Sequence, residues 1–150
     1  QIFIRRSLEI KKKYIEVDEF DKGSRNIFNY GHSLGHAIEA ATHFSIPHGI
    51  AVTMGLDMAN WLSPQIGDGD MKHYSRMHDV LSNNYHGFED IDIPINLFMS
   101  ELEKDKKNIG KREVTLIMPN RKAIITKSRY VNDDSFRSLC SKYLSEMRFK

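Results

Sequence analysis

The chain has 150 residues, of which 40% are hydrophobic and 28% are charged, so it can bury one hydrophobic core of ordinary size. Its 22 basic and 20 acidic residues give a net charge of +2, and this balance gives no reason to expect nucleic acid as a partner. No apolar run approaches the roughly 20 residues that span a bilayer, and the first residues lack a signal peptide's apolar core. The single cysteine, Cys140, excludes an internal disulfide and fits a reducing compartment. We therefore expect a soluble, cytoplasmic globular domain.

The first half of the chain has the spacing of three helices. Residues 2–17 are predicted to form the first, and the polar segment 18–23 to form a loop. Apolar residues then recur at i, i+3, i+4 and i+7 over residues 34–41, which is typical of an amphipathic helix. Pro47 interrupts this pattern because it has no N–H to donate. A third helix, over residues 48–62, is apolar nearly all round and is therefore expected to be buried.

The second half is predicted to be helical except for one hairpin. Helical spacing recurs over residues 68–85, and Pro94 can start another helix. Asp133 or Asp134 is expected to cap a last helix. The two β-prone runs are residues 114–118 and 123–127. The sequence thus predicts one mainly α domain over residues 1–150, with several helices and a small β-hairpin.

Histidines are the most informative polar residues. His32 and His36 are four apart, so on a helix their side chains project together. His48 follows the Pro47 break, and a return of the chain there could bring it back toward His32. Neutral imidazole is a good zinc ligand, although Ser33 stands where the usual helical zinc motif has Glu. The spacing alone leaves two hypotheses open, a metal site and a polar stripe that faces water.

Several segments in register resemble one enzyme family. Residues 31–39, GHSLGHAIE, resemble the GHxxGHAIE signature of dehydroquinate synthases, which are sugar phosphate cyclases. His48 and the residues after it resemble that family's second histidine segment. The serine-to-lysine run at residues 7–11 and the DKK segment at residues 105–107 are also similar. The resemblance covers roughly residues 7–127 and implies the C-terminal, metal-binding half of such an enzyme.

The resemblance implies metal-binding and catalytic roles. His32 and His48 would be two of three zinc ligands, and the third would be a Glu in the N-terminal half. His36 would be the active-site histidine near the leaving phosphate, with Lys11 and Asn29 as the other catalytic residues.

It also implies a set of substrate-binding residues. Lys11, Arg25, Asn29 and Lys106 would bind the hydroxyls, the carboxylate and the phosphate of the substrate. Their chemistry suits these tasks, because Arg binds a carboxylate with two N–H groups and Lys binds phosphate as a point charge. We expect these side chains to line one cationic pocket.

By resemblance, the intact enzyme is a carbon–oxygen lyase of the shikimate pathway that uses NAD and zinc. It would oxidise a hydroxyl of deoxy-arabino-heptulosonate phosphate, eliminate phosphate, reduce the ketone and close the ring to dehydroquinate. The sequence has no GxGxxG-like run for a dinucleotide, and it begins with Gln1 rather than Met. We therefore expect a fragment that lacks the N-terminal NAD-binding domain and is inactive alone. Its own N-terminal domain and a second copy, as a homodimer, are its expected partners.

Three alternatives remain open at this point. Ile50 replaces the Glu of most dehydroquinate synthases, and residues 46–47 are reminiscent of divergent cyclases such as the deoxy-inosose synthase type. Lys11 and Arg25 favour a carboxylated substrate instead. A polyol or alcohol dehydrogenase of the same superfamily and a non-catalytic helical module are the other two alternatives.

Overall fold

Six α-helices and one β-hairpin make up the part of the chain that the computed structural model describes, namely residues 2–20, 23–104 and 113–149. The α-helices are α1 (Ile2–Val17), α2 (His32–Ala41), α3 (His48–Gln65), α4 (Met71–Ser82), α5 (Ile95–Lys104) and α6 (Asp134–Ser145). The other elements are the 3₁₀ helices η1 (Ser24–Asn29) and η2 (Met147–Phe149) and the antiparallel strands β1 (Glu113–Pro119) and β2 (Ile125–Val131). The prediction of a mainly α fold with one small hairpin is confirmed.

Differences from the predicted boundaries have local causes. Helix α4 begins only after Asp70, because the Asp70 carboxylate accepts the backbone N–H of Lys72 at 2.8 Å and caps the helix there. Strand β2 begins at Ile125 rather than at Ala123, which has a φ of 57° and therefore belongs to the turn. The sequence pattern did not predict η1, since a helix this short shows no period.

The pair α2 and α3 forms the centre of the hydrophobic core. The predicted apolar face of α2 is buried, with Leu34 and Ile38 at 1% and 0% exposure. Helix α3 is buried over most of its length, as expected for a helix that is apolar nearly all round. Helices α4, α5 and α6 and strand β1 pack around this pair. The predicted site histidines therefore lie on two helices of the buried core.

Helices α2 and α3 approach so closely that three glycines are required. A Cβ on Gly35 would lie 2.7 Å from Val52 Cα and 2.9 Å from the Ala51 carbonyl oxygen. Gly55 faces the backbone of Gly31 and Gly35 in the same way. Gly31 also has a φ of 70°, a conformation that strains any residue with a Cβ. The three glycines thus allow backbone-to-backbone contact along the antiparallel pair.

We predict that Gly35→Ala lowers the free energy of unfolding by about 1–3 kcal/mol or more, because the new methyl group meets backbone that cannot move aside. Gly49→Ala is the control, since a Cβ there meets nothing within 4 Å. That change should be neutral or stabilise the helix by up to about 1 kcal/mol. Urea denaturation followed by circular dichroism measures both variants, and equal stabilities would contradict the close approach.

A buried carboxylate joins α3 to the elements on its other side. Asp57 is fully buried, and its Oδ2 accepts hydrogen bonds from Tyr143 Oη at 2.7 Å, Tyr85 Oη at 3.0 Å and His78 Nδ1 at 2.8 Å. Burial, and then the charge of Asp57, raises the pKa of Tyr143 well above its usual value. The Tyr143 hydroxyl therefore stays protonated and remains a donor. Three donors on Oδ2 offset part of the cost of removing the carboxylate from water, while Oδ1 is buried with no hydrogen-bond partner in the described residues.

We expect Tyr143→Phe to cost about 1.5–3 kcal/mol of stability, the usual worth of a hydrogen bond to a charged group. Tyr130→Phe is a matched control, because Tyr130 Oη donates to Asp68 at 2.8 Å in an exposed setting. Its loss should cost at most about 1 kcal/mol. Thermal or urea unfolding would measure the difference, and a larger effect for Tyr130 would contradict the assigned role of Asp57.

Helix α1 lies apart from this core. All of its residues are exposed except Tyr14, which is half-buried and stacks edge-on against Phe28 of η1 at 5.1 Å between ring centroids. Phe3 and Val17 are 89% and 81% exposed. Ile2, Phe3 and Ile4 are adjacent and all exposed, and a contiguous exposed apolar patch often marks a surface that another protein segment covers.

Strand β1 packs into the core, whereas β2 lies at the surface. The burial pattern of β1 is continuous from Val114 to Pro119, and β2 pairs with it in antiparallel register. Among residues 2–20, 23–104 and 113–149, no helix combines the length and the apolar content needed to cross a lipid bilayer.

Candidate functional site

Three imidazoles come together on one side of the antiparallel pair α2 and α3. The ring centroids of His32 and His36 are 5.7 Å apart, those of His32 and His48 are 6.3 Å apart, and those of His36 and His48 are 5.5 Å apart. His32 and His36 lie one turn apart on α2, and His48 is the first residue of α3. The close α2–α3 pairing brings this first residue back beside α2, which is the return of the chain that the Pro47 break made possible.

In two of these rings, one nitrogen donates a hydrogen bond to a neighbouring oxygen. His32 Nδ1 donates to the Tyr30 carbonyl oxygen at 3.1 Å, and His48 Nδ1 donates to Glu39 Oε2 at 3.0 Å. A neutral imidazole with its proton on Nδ1 has a lone pair on Nε2. Metal-binding histidines are oriented in this way by a carbonyl or carboxylate at the second nitrogen. His32 and His48 therefore have the donor chemistry of two metal ligands.

The described residues do not supply a complete metal site. Within them, no three His, Cys, Asp or Glu side chains are placed so that they could hold a metal ion among themselves. His32 and His48 fit two positions of a tetrahedral zinc site, and catalytic zinc usually takes a third protein ligand. The ligand roles of these two residues remain predictions.

The 3₁₀ helix η1 carries the predicted substrate-binding residues Arg25 and Asn29, which are both half-buried. The Asp18 carboxylate holds its start, because Oδ2 accepts the backbone N–H of Gly23 at 2.8 Å and of Arg25 at 2.9 Å. The guanidinium of Arg25 donates through Nη1 to the Glu19 carbonyl at 2.8 Å. One of the five N–H groups of Arg25 is thus committed to orienting its side chain.

Other predicted site residues lie on different parts of the fold. Lys11 is exposed on α1, and α1 packs on η1, which carries Arg25. Lys106 lies outside the described residues. A pocket shared by Lys11, Arg25, Asn29 and Lys106 therefore remains a prediction.

A groove of about 430 Å³ lies beside the imidazoles. Its lining includes His36 and Glu39 from α2, Phe44 from the following turn, and Glu101 and Lys104 from α5. The sequence analysis did not assign a role to Glu39, although this residue lies on the same helical stripe as His32 and His36. In the sequence, only the position of Glu39 on this stripe distinguishes it. Its partner, His48, follows nine residues later in another helix, so the sequence does not show that the two side chains meet.

We predict that Asp18→Ala loosens η1. Loss of a capping carboxylate costs about 1 kcal/mol, which corresponds to roughly five-fold faster exchange of the amide protons of Gly23 and Arg25. Asp70→Ala, which removes a cap from α4, should leave exchange at residues 23–30 unchanged. Hydrogen–deuterium exchange measures both variants, and unchanged protection after Asp18→Ala would show that another contact holds η1.

Two solved structures share the fold of this chain. A crystal structure of 2-deoxy-scyllo-inosose synthase superposes with a TM-score of 0.68 at 22% identity, over 96% of this chain and 40% of that one. A second structure, of 2-deoxy-scyllo-inosose synthase complexed with carbaglucose-6-phosphate, NAD+ and Co2+, gives a TM-score of 0.62 at 22% identity, over 85% of this chain and 36% of that one. The chain thus has the fold of one part of a sugar phosphate cyclase.

Sequence comparison gives the family. The family model described as 3-dehydroquinate synthase C-terminal matches residues 1–108. The 3-dehydroquinate synthase of Clostridium tetani is 38% identical over 111 residues, which are 69% of this chain and 28% of that protein. This chain therefore belongs to the 3-dehydroquinate synthase C-terminal family, and it spans less than a third of the length of that curated relative.

Proposed function

We propose that this chain is the metal- and substrate-binding part of a 3-dehydroquinate synthase. This enzyme would convert deoxy-arabino-heptulosonate phosphate to dehydroquinate with release of phosphate, as a carbon–oxygen lyase of aromatic amino acid biosynthesis in the cytoplasm. The observation that carries the proposal is the convergence of His32, His36 and His48 within 6.3 Å between ring centroids, in the segment that matches the family.

His32 and His48 would hold a zinc ion through their Nε2 atoms. Their Nδ1 atoms already donate to Tyr30 and Glu39, so each ring presents the nitrogen that a metal needs. A Glu outside these 150 residues would be the third ligand. When bound, zinc would polarise a hydroxyl or ketone oxygen of the substrate as a Lewis acid.

His36 would act at the leaving phosphate. Its imidazole is exposed at the edge of the groove and lies 5.5 Å from the His48 ring between centroids, so it can contact a substrate held next to the two predicted ligands. An imidazole can donate a hydrogen bond or a proton to a departing phosphate oxygen. Lys11 and Asn29 are proposed to orient the substrate's hydroxyls and phosphate.

Arg25 is proposed to bind the substrate's carboxylate. Its Nη1 is fixed on the Glu19 carbonyl, and its remaining N–H groups can form the two parallel hydrogen bonds that a carboxylate prefers. Lys106 is proposed to add a further positive charge. A substrate without a carboxylate could not form these two parallel hydrogen bonds with Arg25. The presence of Arg25 therefore favours dehydroquinate synthase over a deoxy-inosose synthase type.

NAD is proposed to bind mainly to a part of the enzyme outside these 150 residues. The chain covers 28% of the Clostridium tetani relative and has no GxGxxG-like run. NAD would accept and return the hydride. The exposed apolar residues of α1, among them Phe3 and Val17, are proposed to face that N-terminal domain or the second subunit of a homodimer.

The proposal is tested by product analysis with the complete protein that carries this chain. It should release phosphate and form dehydroquinate from deoxy-arabino-heptulosonate phosphate in the presence of NAD and zinc, and it should not release phosphate from glucose 6-phosphate. The opposite substrate preference would identify a deoxy-inosose synthase type, and no turnover of either would overturn the cyclase assignment. The 150-residue chain alone, assayed in parallel, should be inactive.

Arg25→Ala provides the residue-level test. It should raise KM for the carboxylated substrate by about ten-fold to a hundred-fold, the range expected when a charged hydrogen bond worth about 1.5–3 kcal/mol is lost. Arg121→Ala is the control, because Arg121 lies in the turn between β1 and β2 and donates to the carbonyl of Gly67, which follows α3. Unchanged kinetics after Arg25→Ala would remove this residue from the site.

A further inference from the structure

We propose that Glu39 is the positioning residue of His48. Its carboxylate would hold the ring so that Nε2 points at the metal position. This inference rests on the proposed function, since it concerns the same site. It is carried by the hydrogen bond from His48 Nδ1 to Glu39 Oε2 at 3.0 Å, which joins the last turn of α2 to the first residue of α3.

Glu39 is held more firmly than the ring that it contacts. The side chain of Glu39 is 17% exposed, whereas that of His48 is 57% exposed. Glu39 also lies on α2 between the buried residues Ile38 and Ala41. An exposed imidazole at a helix start has several accessible rotamers, and a fixed carboxylate can select one of them. The direction of control therefore runs from Glu39 to His48.

The two predicted ligands are oriented by different kinds of acceptor. His32 depends on the backbone carbonyl of Tyr30, which no substitution removes, whereas His48 depends on a side chain. A carboxylate also places a negative charge beside the ring, which favours a cation bound at the other ring nitrogen. Glu39 thus offers a means of changing the metal site without changing a predicted ligand.

The neighbouring carboxylate in the same groove has another partner. Glu101 also lines the groove, but its Oε1 accepts from Lys104 Nζ at 2.6 Å. Glu39 and Glu101 therefore line the same groove. Among the described residues, Glu39 contacts a predicted metal ligand and Glu101 does not. Glu101 is the matched control for the test of Glu39.

The test measures metal affinity in the complete protein that carries this chain. Metal is removed with a chelator, and Co²⁺ is then titrated while its visible absorption is followed, with a competing chelator dye to obtain Kd. The variants are Glu39→Ala, Glu39→Met, which keeps the length of the side chain without its acceptor, Glu101→Gln as control, and His48→Ala as reference. Circular dichroism and the melting temperature of each metal-free variant report the fold.

Glu39→Ala and Glu39→Met should both weaken Co²⁺ binding by about 10–100-fold and change the visible spectrum of the bound ion, at an unchanged melting temperature of the metal-free protein. Glu101→Gln should bind Co²⁺ as the wild type does. If Glu39→Ala alters the fold, the Co²⁺ affinity of Glu39→Met tests the inference, because Met fills nearly the same volume as Glu.

Two other outcomes separate the inference from the proposed function. If His48→Ala weakens Co²⁺ binding while both Glu39 variants bind it like the wild type, the positioning role of Glu39 is wrong and the metal site stands. If His48→Ala itself binds Co²⁺ with unchanged affinity, His48 is not a ligand, and both the proposed metal site and the role of Glu39 are overturned.

Discussion

The close approach of α2 and α3 is the constraint on which the rest of the molecule depends. Where Gly35 meets Ala51 and Val52, and where Gly55 meets Gly31, no room is left for a Cβ, so the two backbones touch directly. Interiors packed at this density do not stretch to accommodate even one methyl group at low cost. The same contact sets the distance between the start of α3 and the face of α2. The imidazoles can therefore meet only because the glycines allow the helices to meet.

This constraint explains why the signature of residues 31–39 contains both glycine and histidine. On a helix, residues four apart share a face, so Gly31 and Gly35 turn toward α3, while His32 and His36 lie one position further around. The glycines set the separation between the two helices, and this separation places His48 close to the histidines of α2. A helix with larger residues at the glycine positions would carry the same imidazoles on a differently spaced pair.

Helix α3 is fixed from its other side by polar contacts. Asp57 gathers Tyr143, Tyr85 and His78 from different elements around one carboxylate oxygen. A buried carboxylate is stabilising only when its donors are in place, so this cluster specifies how α4 and α6 pack as well as contributing to stability. The helix that carries His48 is thus held by backbone contact on one face and by charged hydrogen bonds on another.

The sequence by itself determined the helices, the hairpin and the family. Periodicity shows which residues share a face, and the motif of residues 31–39 occurs in register with segments far from it along the chain. Only the tertiary structure decided the bond between Glu39 and His48 and the capping of η1 by Asp18. It likewise decided the hydrogen bond from Lys127 Nζ to Asn26 Oδ1 at 2.9 Å, which joins residues 101 positions apart. These contacts join separate elements. Their geometry depends on how closely α2, α3 and their neighbours pack, and this packing distance produces no periodic pattern in the sequence.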